Sequence, residues 1–356
     1  MHYFRLLKVI YLILFIIFIK ILINKFIETK IIIYNFENKR YKKEKKEFLK
    51  YKNRLNFEKE SNNKKKIIAV SYAVDNGYIY PTIVSMTSLV YNAKNNTFYN
   101  IYILHTPDLT DSSKNFLNSI VDKYYYRCSI IYFNMGNKYK NLNINDRIKT
   151  PTYYRLSLPN LLPDVDRIIW LDGDTLIFED LKELIEIDMK DNLIMGFLDN
   201  YPDAIKSFGY ENATIICCGV LLMDLIGLRK FRFSKKVKNF VSKYKKNLTQ
   251  HDQTIINVVM QKRIAPLPPK YGIWDWQNLT IAEVHLKLQK SKFNYNKNEF
   301  FDAIKHPAIL HYVWTKPFWR KNTAFDKEWW NFAISTDYFY DIYSKSPKPK
   351  NIFNQQ

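Results

Sequence analysis

The sequence predicts an α/β fold built on a mainly parallel sheet with helices on both faces, and three observations carry that expectation. Short apolar runs suited to buried strands recur along residues 66–178, separated by segments with helix-spaced apolar residues. Such alternation implies parallel strands joined by crossover helices. The 356 residues, 47% hydrophobic and 16% aromatic, supply an ample core and exclude a disordered or fibrous chain. One apolar run ends on two aspartates, and in open sheets of this class ligands sit beyond the carboxyl ends of strands, where the strand order reverses.

Taken in order, the globular part reads as a strand at 66–73, a helix at 80–91, a strand at 100–105 (NIYILH) and a helix at 112–121. A strand at 128–133 and a longer one at 167–178 follow, then the apolar run CGVLLMDL at 218–225, a helix at 252–261 and a strand at 308–313. Ahead of them, residues 9–19 (VIYLILFIIFI) carry no charge, and 6–23 is apolar apart from Lys8 and Lys20. That is about the length that spans a bilayer, and lysines near its ends can snorkel to the interface. No small-residue cleavage site follows, so the segment reads as a retained anchor rather than a removed signal peptide. The expected organisation is therefore a membrane anchor helix at 1–30, a basic charged stem at 31–66, a catalytic domain at 67–318 and an aromatic, basic C-terminal tail at 319–356.

Basic residues favour one orientation. Arg5 and Lys8 precede the apolar segment, whereas Lys25, Lys30, Lys39, Arg40 and four more lysines follow it by residue 46, which would hold the main domain on the cytoplasmic face of a bacterial inner membrane. Three cysteines, Cys128, Cys217 and Cys218, draw no disulfide framework and agree with a reducing compartment. The sequons at Asn95, Asn212, Asn247 and Asn278 fit the alternative, a lumenal Golgi domain. With 55 Lys+Arg against 34 Asp+Glu, the surface should attract anionic partners. No zinc-finger spacing or RNA-binding aromatic signature accompanies that charge, so nucleic acid is not expected as the partner.

The motif with most chemistry is Ile168-Ile169-Trp170-Leu171-Asp172-Gly173-Asp174. Strand side chains alternate, so Asp172 and Asp174 would face one side, and Gly173 would let a ligand approach the backbone. Paired carboxylates suit a hard cation such as Mn²⁺ or Mg²⁺ with open positions left for a diphosphate. The plain alternative is a polar turn after a strand, which Asp and Gly also favour. A strand-borne phosphatase motif would need a Thr or Val two places after Asp174, where Leu176 stands. His311, in AILHYVWTKPFW, ends another strand, and Lys316 follows with a cation suited to phosphate.

The segments VSYAVDNGYIYPTIVSMTSL, TYYRLSLPNLL, IIWLDGDTLIF, CGVLLMDL, HDQTIIN and ILHYVWTKPFW occur in the order found in glycosyltransferase family 8, and the chain resembles that family over about residues 67–330. The resemblance is to UDP-sugar-dependent retaining enzymes similar to bacterial lipopolysaccharide galactosyl- and glucosyltransferases. It implies an A-type glycosyltransferase fold, a Mn²⁺ (or Mg²⁺) cofactor, and transfer of galactose or glucose to a glycan or glycolipid acceptor. Residue by residue, it implies that Ala73, Asp75 and Tyr78 hold uridine and ribose, that Asp172, Asp174 and His311 bind the metal, and that Lys316 meets the diphosphate. Arg155 resembles a basic residue near the donor sugar, and Asp252 and Gln253 an Asp-Gln pair beside the reacting sugar. Read without the family, Asp252-Gln253 is the polar start of a helix. Gly77 and Cys217 both replace asparagines common in the family, which leaves a non-catalytic nucleotide-sugar-binding protein as an alternative, with a metal-dependent phosphohydrolase behind it.

Overall fold

The computed structural model describes residues 65–142, 149–199, 203–210, 213–245, 248, 250–275, 295–313, 315–320 and 323–346. Residues 63–356 form one compact unit. The expected anchor helix and stem lie outside the described residues, and among the described residues no helix is long and apolar enough to cross a membrane.

Among the described residues, ten strands and six helices of nine or more residues build the fold. They are β1 (Lys66–Val74), α1 (Ile79–Tyr91), β2 (Thr97–His105), α2 (Asp111–Tyr124), β3 (Cys128–Asn134), β4 (Arg167–Leu171), β5 (Thr175–Ile177), β6 (Ile194–Leu198) and β7 (Ile216–Asp224). After them come α3 (Phe233–Tyr244), α4 (His251–Val259), β8 (Ile264–Pro266), β9 (Tyr271–Trp274), α5 (Lys297–Lys305), β10 (Ile309–His311) and α6 (Asp326–Ile334). The main sheet has the order β3-β2-β1-β4-β7-β6-β8, and β5-β10-β9 form a second, small sheet. The main sheet is parallel except for β7, which runs antiparallel to β4 and β6.

Chain order moves outward from β1 through β2 to β3, then returns to β4 on β1's other side. The reversal therefore falls between β1 and β4, whose carboxyl ends lie side by side through the pairing of Ser71 with Trp170. In β1 the pleat buries Ile68, Val70, Tyr72 and Val74 on one face. There they meet α1, α2 and the small sheet, while Trp170, Leu221, Phe233 and Ile255 fill the opposite layer. Helix α1 is buried over most of its length, so its hydroxyls must find partners inside. Ser85 does so with Tyr72 and Thr175, and Ser88 accepts from the Ile177 amide, which ties the helix to β5.

Two expectations are corrected. The single strand at 167–178 is two strands in different sheets, because the Asp172-Gly173-Asp174 turn intervenes and Thr175 returns its amide and hydroxyl to the Asp172 carbonyl at 3.2 and 2.9 Å. The segment from 319 onward does not stand apart: Trp329, Trp330, Phe339 and Ile342 are buried in the same core as β1 and α1.

A buried asparagine ties helix α4 to the start of β7. The Asn257 carboxamide accepts from the Ile216 amide at 2.9 Å and donates to the Ile216 carbonyl at 2.8 Å, fully buried. Replacing Asn257 with Ala leaves both strand groups without partners, so urea unfolding should show a loss of about 2–4 kcal/mol; a loss below about 0.5 kcal/mol would contradict the tie.

Candidate active site

Four segments converge beyond the β1 and β4 ends. The β4 turn presents Asp172 and Asp174, β10 ends on His311, α4 opens with Asp252 and Gln253, and the 3₁₀ helix Thr150–Ser157 carries Arg155. The two aspartates are delivered by the turn, not by strand alternation, because regular pairing stops at Leu171 and resumes at Thr175. Gly173 is required there by close approach: a methyl group at its Cα would run into the Thr82 hydroxyl of α1.

Each aspartate has one oxygen fixed and one turned toward His311. Asp172 Oδ1 accepts from Trp170 Nε1 at 2.8 Å and Arg155 Nη2 at 3.0 Å, while its Oδ2 lies 3.9 Å from His311 Nε2. Asp174 Oδ2 accepts from Tyr78 Oη at 2.6 Å and lies 3.0 Å from Lys316 Nζ. Its Oδ1 is 3.3 Å from His311 Nε2 and is buried without an aligned hydrogen-bond donor. Ligand atoms from Asp172, Asp174 and His311 all lie within 4.8 Å of one another. Two carboxylate oxygens and one imidazole nitrogen, one of the oxygens lacking a donor, fit Mn²⁺ or Mg²⁺ with positions left for a ligand's oxygens.

Neighbouring charges, more than burial, set the protonation of the cluster. Burial by itself would raise the Asp174 carboxyl, but Lys316, His311 and Tyr78 hold it well below the usual carboxylate range. Burial would lower His311, yet the Asp174 carboxylate and the Cys217 sulfur raise it well above the ordinary histidine value. Cys217 Sγ lies 3.7 Å from Nδ1, and Gly219 packs so close to the ring that a methyl group there would collide with it. Strand β7 therefore fixes the imidazole's position.

Arg155 forms the floor. Its side chain is 2% exposed, its Nε lies 2.9 Å from Asp252 Oδ2, its Nη1 donates to the Cys218 carbonyl, and its plane covers the Trp170 ring at 4.5 Å. Burial would lower its pKa, but Asp172 and Asp252 keep it charged. Asp252 is buried too, and burial raises its carboxyl above the usual value despite Arg155. His251 has φ +53°, a left-handed conformation that starts α4 and sets Asp252 and Gln253 toward β7. Gln253 accepts from the Cys218 amide at 3.2 Å and donates to Asp199 Oδ2 at 2.5 Å, remaining partly exposed.

The structure thus brings together Tyr78, Arg155, Asp172, Asp174, Asp252, Gln253, His311 and Lys316. Ala73 lies near the end of β1 and Asp75 just after it, where Asp75 Oδ1 caps the Tyr78 amide at 2.9 Å. Tyr78 reaches the cluster through its hydroxyl, a role its sequence position did not reveal. Trp170, Asp199 and Cys217 were also missed. Trp170 sits two residues before Asp172, and Asp199 follows an apolar strand just as Asp172 does, so both had a readable signal. The contact of Cys217 with the imidazole had none.

Residues 69–323 match the family described as glycosyl transferase family 8. Lipopolysaccharide 1,2-glucosyltransferase from Escherichia coli is 27% identical over 291 residues, 78% of this chain and 78% of that one. General stress protein A from Bacillus subtilis (strain 168) is 25% identical over 193 residues, 52% of this chain and 65% of that protein, so the chain matches just under two thirds of that relative. The solved structure of galactosyltransferase LgtC with donor and acceptor sugar analogs has a TM-score of 0.63 at 20% identity, covering 76% of this chain and 96% of that one. The WbbM bifunctional glycosyltransferase has a TM-score of 0.61 at 18% identity, covering 79% of this chain and 52% of WbbM. The likeness to LgtC and WbbM is one of fold. The chain belongs to glycosyl transferase family 8 and has the A-type glycosyltransferase fold.

Two outcomes follow for cation affinity, read from free Mn²⁺ by electron paramagnetic resonance. His311 holds its proton more tightly than an ordinary histidine, and a cation at Nε2 would have to displace that proton, so affinity should fall as pH falls; pH-independent affinity would contradict this. Gly219→Ala should weaken binding by about tenfold or more by displacing the ring, and unchanged affinity would show that the ring is not part of the site.

Proposed function

We propose that this glycosyltransferase is metal-dependent and retaining, and that it moves galactose or glucose from a UDP-sugar to a glycan or lipid-linked acceptor. The observation that carries the reading is the division of the two carboxylates, each with one oxygen tied and one turned toward His311 Nε2. Asp172, Asp174 and His311 would hold Mn²⁺ or Mg²⁺, which when bound supplies positive charge for the diphosphate leaving group. The family match and the relative named for lipopolysaccharide glucosyl transfer support the same reading. The phosphohydrolase alternative falls with the family match.

The chain's own residues divide the remaining work. Lys316 Nζ, held by the Tyr312 carbonyl at 2.8 Å and by Asp174, keeps a cation at the rim of the cluster for the departing phosphate. Ala73 and Asp75, at the tip of β1, would face the nucleoside. Gln253 is the exposed member of the Asp252-Gln253 pair and the one able to meet the sugar. Asp252, 4% exposed and beside Arg155 Nε, is a positioning residue that fixes the guanidinium under Asp172. Retention then uses either a protein group on the far face of the sugar or same-face attack guided by the departing phosphate.

We further propose that residues 1–30 anchor the chain, 31–66 form a stem, and the catalytic domain from 67 works on the cytoplasmic face of a bacterial inner membrane; the basic residues after the apolar segment support this orientation.

The test is UDP release from a panel of UDP-sugars with and without Mn²⁺, with the anomeric configuration of the product followed by NMR. One UDP-hexose should turn over with Mn²⁺ and retention, and Asp174→Asn or His311→Ala should slow it by about 100-fold or more. Binding of UDP without turnover of any donor would favour the nucleotide-sugar-binding alternative; metal-independent turnover would remove the cofactor from the account.

A further inference from the structure

A cavity of about 620 Å³ opens on the face of the 3₁₀ helix Thr150–Ser157 away from Asp172. Arg155 points from that helix to the catalytic cluster, whereas Leu156 and Ser157 line the cavity, Ser157 Oγ meeting Tyr139 Oη at 2.9 Å. Leu142, Leu156, Val237 and Val241 make its walls apolar, and Lys138, Lys238 and Lys245 stand among the lining residues. Among the described residues no carboxylate lines it. The wall contains an unmet donor as well, because the Ser234 hydroxyl is buried without a hydrogen-bond partner. Burial also lowers the Lys138 pKa, as expected of an ammonium drawn toward apolar walls without a neighbouring anion.

Helix α3, which forms one side of the cavity, reads FSKKVKNFVSKY and has no acidic residue. Phe233 and Val237 are buried, while Lys235, Lys236, Lys238 and Lys243 are exposed. A basic helix face beside an apolar, lysine-bearing cavity has the chemistry of a surface that meets anionic lipid: lysines attract the phosphates, and the apolar walls take the carbon beneath them. A wholly polar anion would leave those walls exposed to water. Nothing in the proposed transfer reaction uses this cavity.

We propose that this cavity and the adjoining face of α3 bind the phosphate headgroups of anionic phospholipid, holding the catalytic domain against a membrane surface independently of the N-terminal segment. All three native cysteines are buried, so a polarity-sensitive dye can be placed selectively on Ser242→Cys, at the cavity, and for comparison on Asn298→Cys, at the exposed start of α5. The full-length labelled chain is mixed with vesicles of phosphatidylcholine alone or with added phosphatidylglycerol.

The dye at 242 should shift to the blue only with phosphatidylglycerol, and the dye at 298 should not. Combined Lys138→Glu, Lys238→Glu and Lys245→Glu should weaken the response by an order of magnitude or more. Reversal of Lys262, Lys297 and Lys305, exposed residues outside the cavity lining, should leave it in place. Equal shifts with both vesicles or at both positions, or equal losses in the two triple variants, would overturn the site. A shift with inorganic phosphate and no vesicles would assign the cavity to a soluble anion and overturn the membrane assignment.

Discussion

The Arg155 guanidinium, buried between Asp172 and Asp252, is the interaction on which the site depends. It reaches one carboxylate with Nη2 at 3.0 Å and the other with Nε at 2.9 Å. Removing Arg155 would leave the buried Asp252 carboxyl without its cation, which typically costs several kcal/mol. The arrangement joins the 3₁₀ helix, the turn after β4, the start of α4 and, through the Cys218 carbonyl, the middle of β7. It thereby turns the position of a loop aspartate into a property of the packed core.

From that floor the remaining geometry follows in steps. Because Asp172 Oδ1 is taken by Arg155 and Trp170, its other oxygen is left toward His311. Tyr78 and Lys316 do the same for Asp174 from the opposite side. Strand β7 is the common wall, with the Gly219 backbone receiving the Asp172 amide, the space over Gly219 receiving the His311 ring, and the Cys218 amide receiving Gln253. An antiparallel strand inserted beside the switch point thus supplies backbone contacts to the Asp172-Asp174-His311 cluster and to Gln253 together. It runs antiparallel to both of its neighbours, β4 and β6, in an otherwise parallel sheet.

Much of this was legible beforehand, for physical reasons that differ by element. Strands β1, β2 and β3 are apolar runs with helical spacing between them, so local periodicity locates them. Asp172 and Asp174 stand out because an apolar run that ends on carboxylates has few structural uses. The break of 167–178 into two sheets was hidden, since residues 175–178 are as apolar as 168–171 and only tertiary pairing of β5 with β10 separates them. Arg155 was picked out through family resemblance, but its burial depends on Asp252 nearly a hundred residues later. Cys217 is visible in sequence as a replaced asparagine, but its contact with the imidazole is not, because that is set by the approach of His311 from β10. For Lys316, expected from the resemblance to meet a diphosphate, the structure gives the two partners of its ammonium, the carboxylate of Asp174 and the carbonyl of Tyr312.

The central claim is that Asp172, Asp174 and His311 form the metal centre of the transfer reaction. Pulsed electron paramagnetic resonance on the complex of the full chain with Mn²⁺ and UDP reads the first coordination sphere directly. The account predicts hyperfine coupling from one histidine nitrogen together with coupling from phosphorus, and loss of the nitrogen signal in His311→Ala. Bound Mn²⁺ that shows no histidine coupling, or a nitrogen signal that survives the substitution, would contradict it.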